Sequence, residues 1–456
     1  TGLVLSAPAW SASTIAEAVA GMQANSWKQI SANTFTGVMT PPELRTGVNL
    51  DFTWPNEFYR AGSQIYAWTG SAWDGQREQL YLWGGDYNGH EGNEVYIFSA
   101  NTGLWSRGSL PSQMKLTGNI LTTADGIYNS PTSGETYDNL VFLKNVNRLA
   151  ALGVSRDGQT WVNTSGQATG PYFWDPAKAD ANMVGGLTGS QIDPSIQGAG
   201  MWQNRNNGAQ INSSGYTVHT NGTSDVLSVG GKDVVYLTDF TDRLWRYTVN
   251  DLNPANDVWE WIGNRNIGGY TGGGAGAIDT SRNIYLKTLD VGVFGFWDLG
   301  VTGDPYNNRE IRITPTILNS NLAAPDTSKF GLEFDPVQRV YTMWDGSEFV
   351  WVLRPPDNLD PDGDGVQSAE TGWTLERLTV AGQGPKIPEL YTGVYGKWNY
   401  IDEYGVFMGL IDPDSGAVFL YKPAAAVPEP AAWIMMIAGL ALAAGVGRRR
   451  ARQRVT

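Results

Sequence analysis

Apolar and polar positions alternate in short runs along most of the chain, and glycine pairs and Asx-containing turns separate the runs. The clearest stretch lies between residues 65 and 107. Ile65–Trp68 and Gly70–Trp73 are followed by Gln79–Trp83, which ends at Gly84 and Gly85. Glu94–Ser99 then alternates and passes through Asn101-Thr102-Gly103 to Leu104-Trp105. Period-two alternation broken by turns at such intervals predicts antiparallel strands.

Weaker copies follow. Gly230-Gly231 leads into Val234–Leu237, Leu244–Tyr247 and Val258–Ile262. Gly272–Ala277 precedes Ile284–Leu286 and Val293–Trp297. Phe330–Phe334, Val340–Trp344, Phe349–Leu353 and Trp373–Leu378 form a fuller set. The last copy, Gly393–Tyr400, Gly405–Leu410 and Ala417–Tyr421, lacks an outer Trp strand, which Ser26–Ile30 can supply. The period is about 50–60 residues, sustained over most of the chain. Composition agrees: Gly 56, Trp 19 and only 17% charged residues do not suit a helical bundle and do suit many short strands with aromatic rings between sheets.

Gly84 and Gly85 ending a strand, followed by Phe98 and then Trp105, resemble the kelch repeat of galactose-oxidase-like β-propellers, with Phe98 where tyrosine is usual. The resemblance implies an all-β fold: a single β-propeller over 26–423, of six or seven four-stranded blades, its ring closed by the N-terminal strand. The stretch 110–225 is poorly phased and leaves the count open. A stack of two-sheet sandwiches is the structural alternative.

The two ends of the chain read differently. Residues 431–447 (AAWIMMIAGLALAAGVG) supply about 17 uncharged positions, enough for a transmembrane helix at the short limit. Arg448, Arg449, Arg450, Arg452 and Arg454 follow and would stay on the cytoplasmic side. Val427, Pro428, Glu429 and Pro430 stand just before the span. This order resembles the PEP-CTERM sorting signal of Gram-negative bacteria. The resemblance implies an exosortase-type partner, export, and delivery to the cell envelope or extracellular matrix, with the tail (424–456) first held in the cytoplasmic membrane. At the other end, residues 1–12 read as the end of a signal peptide, with Ala7-Pro8-Ala9 as a cleavage site. Residues 13–25 read as a short helix or linker.

Charge and chemistry narrow the function. The formal charge is −14 despite the arginine-rich tail, which argues against nucleic acid and anionic lipid as partners of the body. Cysteine is absent, which removes disulfides, thiolate metal sites and the cysteine–tyrosine link of copper-radical oxidases. No copper, haem or nucleotide is expected. The loop Asp86–Glu94 is the densest set of functional side chains: Tyr87, His90 and Glu91 are candidate acid, base or sugar-binding groups, with Asp86, Asn93, Trp68 and Trp73 as binding candidates. The bland alternative is a polar turn whose side chains satisfy backbone amides. Trp54, Trp202 and Trp398 are further candidate sugar platforms, although most propeller tryptophans are core; His219, near Tyr216, reads as a surface or internally satisfied histidine. Asp360, Asp362 and Asp364 with Gly365 match the start of an EF-hand-type calcium loop, with Glu370 as the late carboxylate, one place short of the usual position, which Thr371 occupies. A solvated acidic turn is the alternative there.

Two functions follow. One is a non-catalytic surface or matrix protein that binds extracellular polysaccharide or assembles with matrix partners, including copies of itself. The other is an extracellular polysaccharide lyase or hydrolase using the 86–94 loop, which requires those side chains to converge in one pocket.

Overall fold

The computed structural model describes residues 15–45, 62–85, 90, 92–117, 120–153, 170–207, 222–239, 241–266, 273–319, 321–388 and 392–424. The chain divides into two units, 1–423 and 424–456.

Six antiparallel sheets make the first unit a six-bladed β-propeller. Blade 1 comprises Gly70–Asp74, Gln79–Trp83, Tyr96–Ser99 and Leu104–Arg107. Blade 2 comprises Leu140–Leu143, Arg148–Ala151, Tyr172–Trp174 and Trp202–Asn204. Blade 3 runs through Ser224–Val229, Lys232–Thr238, Leu244–Val249 and Val258–Gly263. Blade 4 has Gly276–Asp279, Ile284–Asp290, Val293–Asp298 and Ile311–Ile313. Blade 5 has Gly331–Asp335, Val340–Trp344, Phe349–Arg354 and Thr374–Thr379, plus the short strand Thr316–Ile317, parallel to the outermost. Blade 6 contains Trp398–Ile401, Val406–Leu410 and Val418–Lys422, and its outer strand is Ser26–Gln29 from the other end of the chain. The first strand of each blade packs against that of the next, and blade 6 returns to blade 1.

Closure rests on an aromatic anchor. Trp27 sits 5.8 Å from Trp344 and 5.9 Å from Trp398, and its indole N–H donates to Glu348 O at 2.8 Å. The N-terminal strand therefore anchors blade 6 through a buried side chain of its own.

An aspartate-capped hairpin recurs at the end of the first strand in blades 1, 4 and 5. In blade 1, Asp74 Oδ1 accepts from the backbone amides of Gln76 and Arg77 while its other oxygen meets Arg77 Nη1 at 2.7 Å. Asp279 with Arg282 repeats this in blade 4, and Asp335 with Gln338 in blade 5. The residue closing the first turn of each blade has positive φ: Glu78, Asn147, Gly231, Asn283, Arg339 and Gly405. That left-handed conformation lets the chain reverse, and in blade 3 both residues of a two-residue turn, Gly230 and Gly231, adopt it. The turns also tie blades together. Arg77 Nη1 donates to Asn147 Oδ1 at 2.6 Å, Asn145 Nδ2 to Lys232 O at 2.8 Å, and Arg282 Nη1 to Arg339 O at 3.1 Å. Tyr404 donates its hydroxyl to the Glu78 carboxylate, linking blade 6 to blade 1.

The structure corrects the strand assignment at Ile65–Trp68. Ser63–Tyr66 is a helical turn, with the Ile65 amide donating to Gly62 O at 2.8 Å. Ile65 and Ala67 are buried there while Tyr66 and Trp68 are half-buried, an alternation that this helical turn shares with a strand. The unphased stretch 110–225 holds one blade, blade 2, whose strands are separated by long connections. The landmarks Gly84, Gly85, Phe98 and Trp105 lie together in blade 1, where Phe98 pairs directly opposite Trp105. What blades 1, 4 and 5 share is the Asp turn rather than the glycine pair. A helix spans Ile15–Ala20. Among the described residues no helix is long and apolar enough to cross a membrane. The predicted span 431–447, the sorting residues Val427–Pro430 and Arg448–Arg450, and the signal-peptide reading at 1–12 lie outside the described residues.

Candidate functional site

The six first strands enclose a cavity of about 380 Å³. Its two ends differ because of what stands at the two ends of those strands.

At the starting end, small residues let the blades meet. A Cβ on Gly70 would lie 2.6 Å from Tyr137 O, and one on Gly331 only 2.4 Å from Trp398 Cβ. Into this constriction projects Asp138. Its Oδ2 accepts from Gly276 N at 2.8 Å and Ser224 N at 3.4 Å, while Ser224 Oγ donates to its carbonyl at 2.6 Å. The next backbone carbonyl, Tyr137 O, accepts from Gly396 N at 3.4 Å. A Cβ on Gly396 would stand 3.0 Å from Asp138 Oδ1 and 3.2 Å from Gly70 Cα. Residues of blades 1, 2, 3, 4 and 6 thus close the cavity floor around one carboxyl, which is 8% exposed. Burial pushes that carboxyl well above the usual range, against the pull of the two amides.

Midway up stand Asp225 and Glu333, both half-buried. Asp225 accepts from Val226 N at 2.6 Å and Ile278 N at 2.8 Å. Burial and the negative charge of Asp402 raise it to about 6. Glu333 is held well above its ordinary value by burial and then by Asp225, Asp138 and Asp402. The far end is open. Thr280, Pro336 and Asp402 are exposed there, and Trp73 and Tyr400 are half-buried. Trp73 donates its indole N–H to Glu403 Oε2 at 3.2 Å. Water reaches Asp402, yet the surrounding walls and Glu403 still raise its carboxyl, with Lys144 opposing. Among the described residues the lining holds four acids and no lysine, arginine or histidine.

The cavity acids were not among the side chains singled out by sequence. One signal for two of them lay in the strands: Asp225 and Glu333 place an acid at the second position of Ser224–Val229 and the third of Gly331–Asp335. Trp73 is the sequence-selected residue that the structure brings to the mouth. Trp68 is half-buried beside Tyr137, at the closed end, with ring centroids 6.4 Å apart. Trp202 and Trp398 are core residues, 6% and 1% exposed.

His90 is 1% exposed and lies elsewhere, packed toward the N-terminal segment. Its Nε2 is 3.3 Å from Glu94 Oε2 and 2.7 Å from the Gln64 side-chain nitrogen. Glu94 accepts from Thr40 Oγ1 at 2.8 Å and the Tyr96 hydroxyl at 3.0 Å. Burial opposes its ionisation, but His90 and Thr40 outweigh that and hold it below the usual carboxylate range. This group pins residue 40 to blade 1. Asn93 is likewise engaged in the interior, donating to Pro131 O at 2.8 Å and accepting from Ser112 N at 2.8 Å. Asp86, Tyr87, Glu91, Trp54, Tyr216 and His219 lie outside the described residues.

In the 360–364 loop the carboxylates of Asp360, Asp362 and Asp364 bring ligand atoms within 4.8 Å of one another, and Glu370 is not part of the group. Asp360 also accepts from the amides of Gly363, Asp364 and Gly365, at 2.8, 3.1 and 3.0 Å, which by itself accounts for a tight acidic turn.

No curated protein matches the chain. A solved structure similar to it is a structural genomics protein of unknown function from Bacteroides thetaiotaomicron, at 10% identity and a TM-score of 0.40, covering 80% of this chain and 75% of that one. The PEP-CTERM protein-sorting motif matches residues 426–451. The C-terminal tail is therefore a PEP-CTERM signal, the kind that exosortase recognises in Gram-negative bacteria, and it marks the protein for export and sorting to the cell surface.

Proposed function

We propose that the exported propeller is a non-catalytic binding protein of the cell surface or matrix, which holds an extracellular polysaccharide at the open end of its central cavity. The observation that carries this reading is the cavity's shape and lining: closed by Asp138, lined with carboxylates, and flanked at the mouth by Trp73 and Tyr400. Sugar rings pack their flat C–H faces on such aromatic side chains, and carboxylates accept from sugar hydroxyls. The alternative of a lyase or hydrolase built on the 86–94 loop gains no support from His90, whose imidazole is enclosed against Glu94.

The test is retention of matrix polysaccharide on the purified, immobilised protein, with Trp73→Ala and Asp402→Asn beside it. Retention that weakens in both variants, with no new reducing or unsaturated ends in the eluate, is the expected result. Accumulating chain ends, or retention indifferent to both substitutions, would overturn it.

A further inference from the structure

Resting on that reading, we propose that the cavity selects a positively charged ammonium group, carried by an unacetylated amino sugar of the bound polysaccharide.

The lining is one-signed. Asp138 at the floor, Asp225 and Glu333 midway and Asp402 at the mouth set four carboxyls along one cavity, with no basic lining residue among the described residues to balance them. They lie close enough for their charges to act on one another: Asp402 raises Asp225, and Asp225, Asp138 and Asp402 all raise Glu333. Two basic groups bear on this set: Lys287, which is buried, and Lys144, which is exposed on the turn after the first strand of blade 2. Lys287 acts on Asp138 but is committed to Asp242 at 2.5 Å, and Lys144 acts on Asp402. A cation entering the cavity relieves this crowding, whereas an anionic sugar adds to it.

The cation is organic rather than a metal ion. Among the described residues, three or more acidic ligand atoms gather within 4.8 Å of one another only in the 360–364 loop, so no three of the cavity acids converge on a single ion. A space of about 380 Å³ instead suits a group of small-ligand size, at the lower end of ordinary pockets. Trp73 and Tyr400 then favour a sugar over a lysine side chain, because a pyranose presents a broad face to a half-exposed ring while its ammonium points inward.

Protonation gives the ligand a signature. Ionised acids bind the ammonium, so affinity rises as pH climbs through about 6, where Asp225 titrates, and falls once the sugar amine loses its own proton.

The experiment is calorimetric titration of the full-length protein with glucosamine trisaccharide, N-acetylglucosamine trisaccharide and trilysine, at low salt and pH 6.5. Glucosamine trisaccharide should bind at least about tenfold more tightly than its acetylated form, weaken in 0.5 M salt, and lose about tenfold in Glu333→Gln or Asp402→Asn. Asp402 is exposed, so its variant remains a folded control should the other fail to fold. Equal binding of the two sugars would overturn the ammonium inference and leave polysaccharide binding standing. Trilysine binding without glucosamine binding would overturn the amino-sugar assignment. No binding by any of the three would overturn the inference, and the retention assay separately decides the fate of the broader reading.

Discussion

The floor and the mouth of the central cavity each present an aspartate, and the two are built for different work. Asp138 is enclosed, takes backbone amides from blades 3 and 4, and lies within reach of Gly396 in blade 6. Asp402 is exposed at the end of a blade 6 strand, in a wall that also holds Trp73 and Tyr400. A carboxyl that satisfies amides from several blades stabilises the ring, because those donors have no water to turn to. A carboxyl that faces solvent contributes little to folding and is free to meet a ligand. Position along the same strands thus separates structure from function.

Removing the floor carboxyl is the severest way to test that division. Asp138→Ala leaves the Gly276 amide buried without its acceptor and should cost about 2–4 kcal/mol, read as a lower denaturation midpoint. Asp138→Asn keeps one acceptor oxygen and should cost clearly less. An Asp138→Ala protein as stable as the parent would show that the floor is not held by this group. Gly396→Ala probes the same constriction from blade 6. The added methyl meets Asp138 Oδ1 and Gly70 Cα, and should cost about 1–3 kcal/mol.

Much of the ring was legible in the strand pattern, and the cavity was not. Blades 1, 5 and 6 announce themselves because alternation, turn glycines and tryptophans agree there, and Ser26–Ile30 fits the missing outer strand. Blade 2 hides because its hydrogen-bonded neighbours Arg148–Ala151, Tyr172–Trp174 and Trp202–Asn204 are far apart in sequence. The Asp turns carry a legible repeat that glycine pairs obscured: Asp74 and Arg77, Asp279 and Arg282, Asp335 and Gln338 keep one spacing. The cavity acids share no motif, since Asp138, Asp225, Glu333 and Asp402 become neighbours only when blade 6 closes on blade 1. His90 stands in the chain's densest run of functional side chains, yet local density in the sequence says nothing about access, and its ring is buried.

Between floor and mouth, Glu333 gives a pH test of smaller size. A carboxyl whose folded pKa lies above its unfolded value binds more protons when folded, so its contribution is present at low pH and is lost as pH rises. For Asp225 the window runs from 3.8 to about 6, and Glu333 shifts in the same direction. The protein should therefore melt lower at pH 7 than at pH 5 on account of these groups. Glu333→Gln should raise stability more at pH 7 than at pH 4.5, with its partial exposure limiting the gain. A variant that lowers stability equally at both pH values would show that Glu333 acts as a structural acceptor, like Asp138.

The smallest expected effect is on stability at the mouth, and it is the one that completes the contrast. Asp402→Asn removes an exposed charge that other carboxylates oppose, so its denaturation midpoint should move by less than about 0.5 kcal/mol, upward if at all. Trp73→Ala should cost somewhat more, because the indole is half-buried and its N–H bond to Glu403 is lost. Both should nevertheless lose polysaccharide retention far out of proportion to their stability, whereas Asp138→Asn should lose stability first and retention only through it. The decisive plot is retention against melting temperature for the three proteins. If all three fell on one line, floor and mouth would be a single structural unit, and the division of labour between the two aspartates would be wrong.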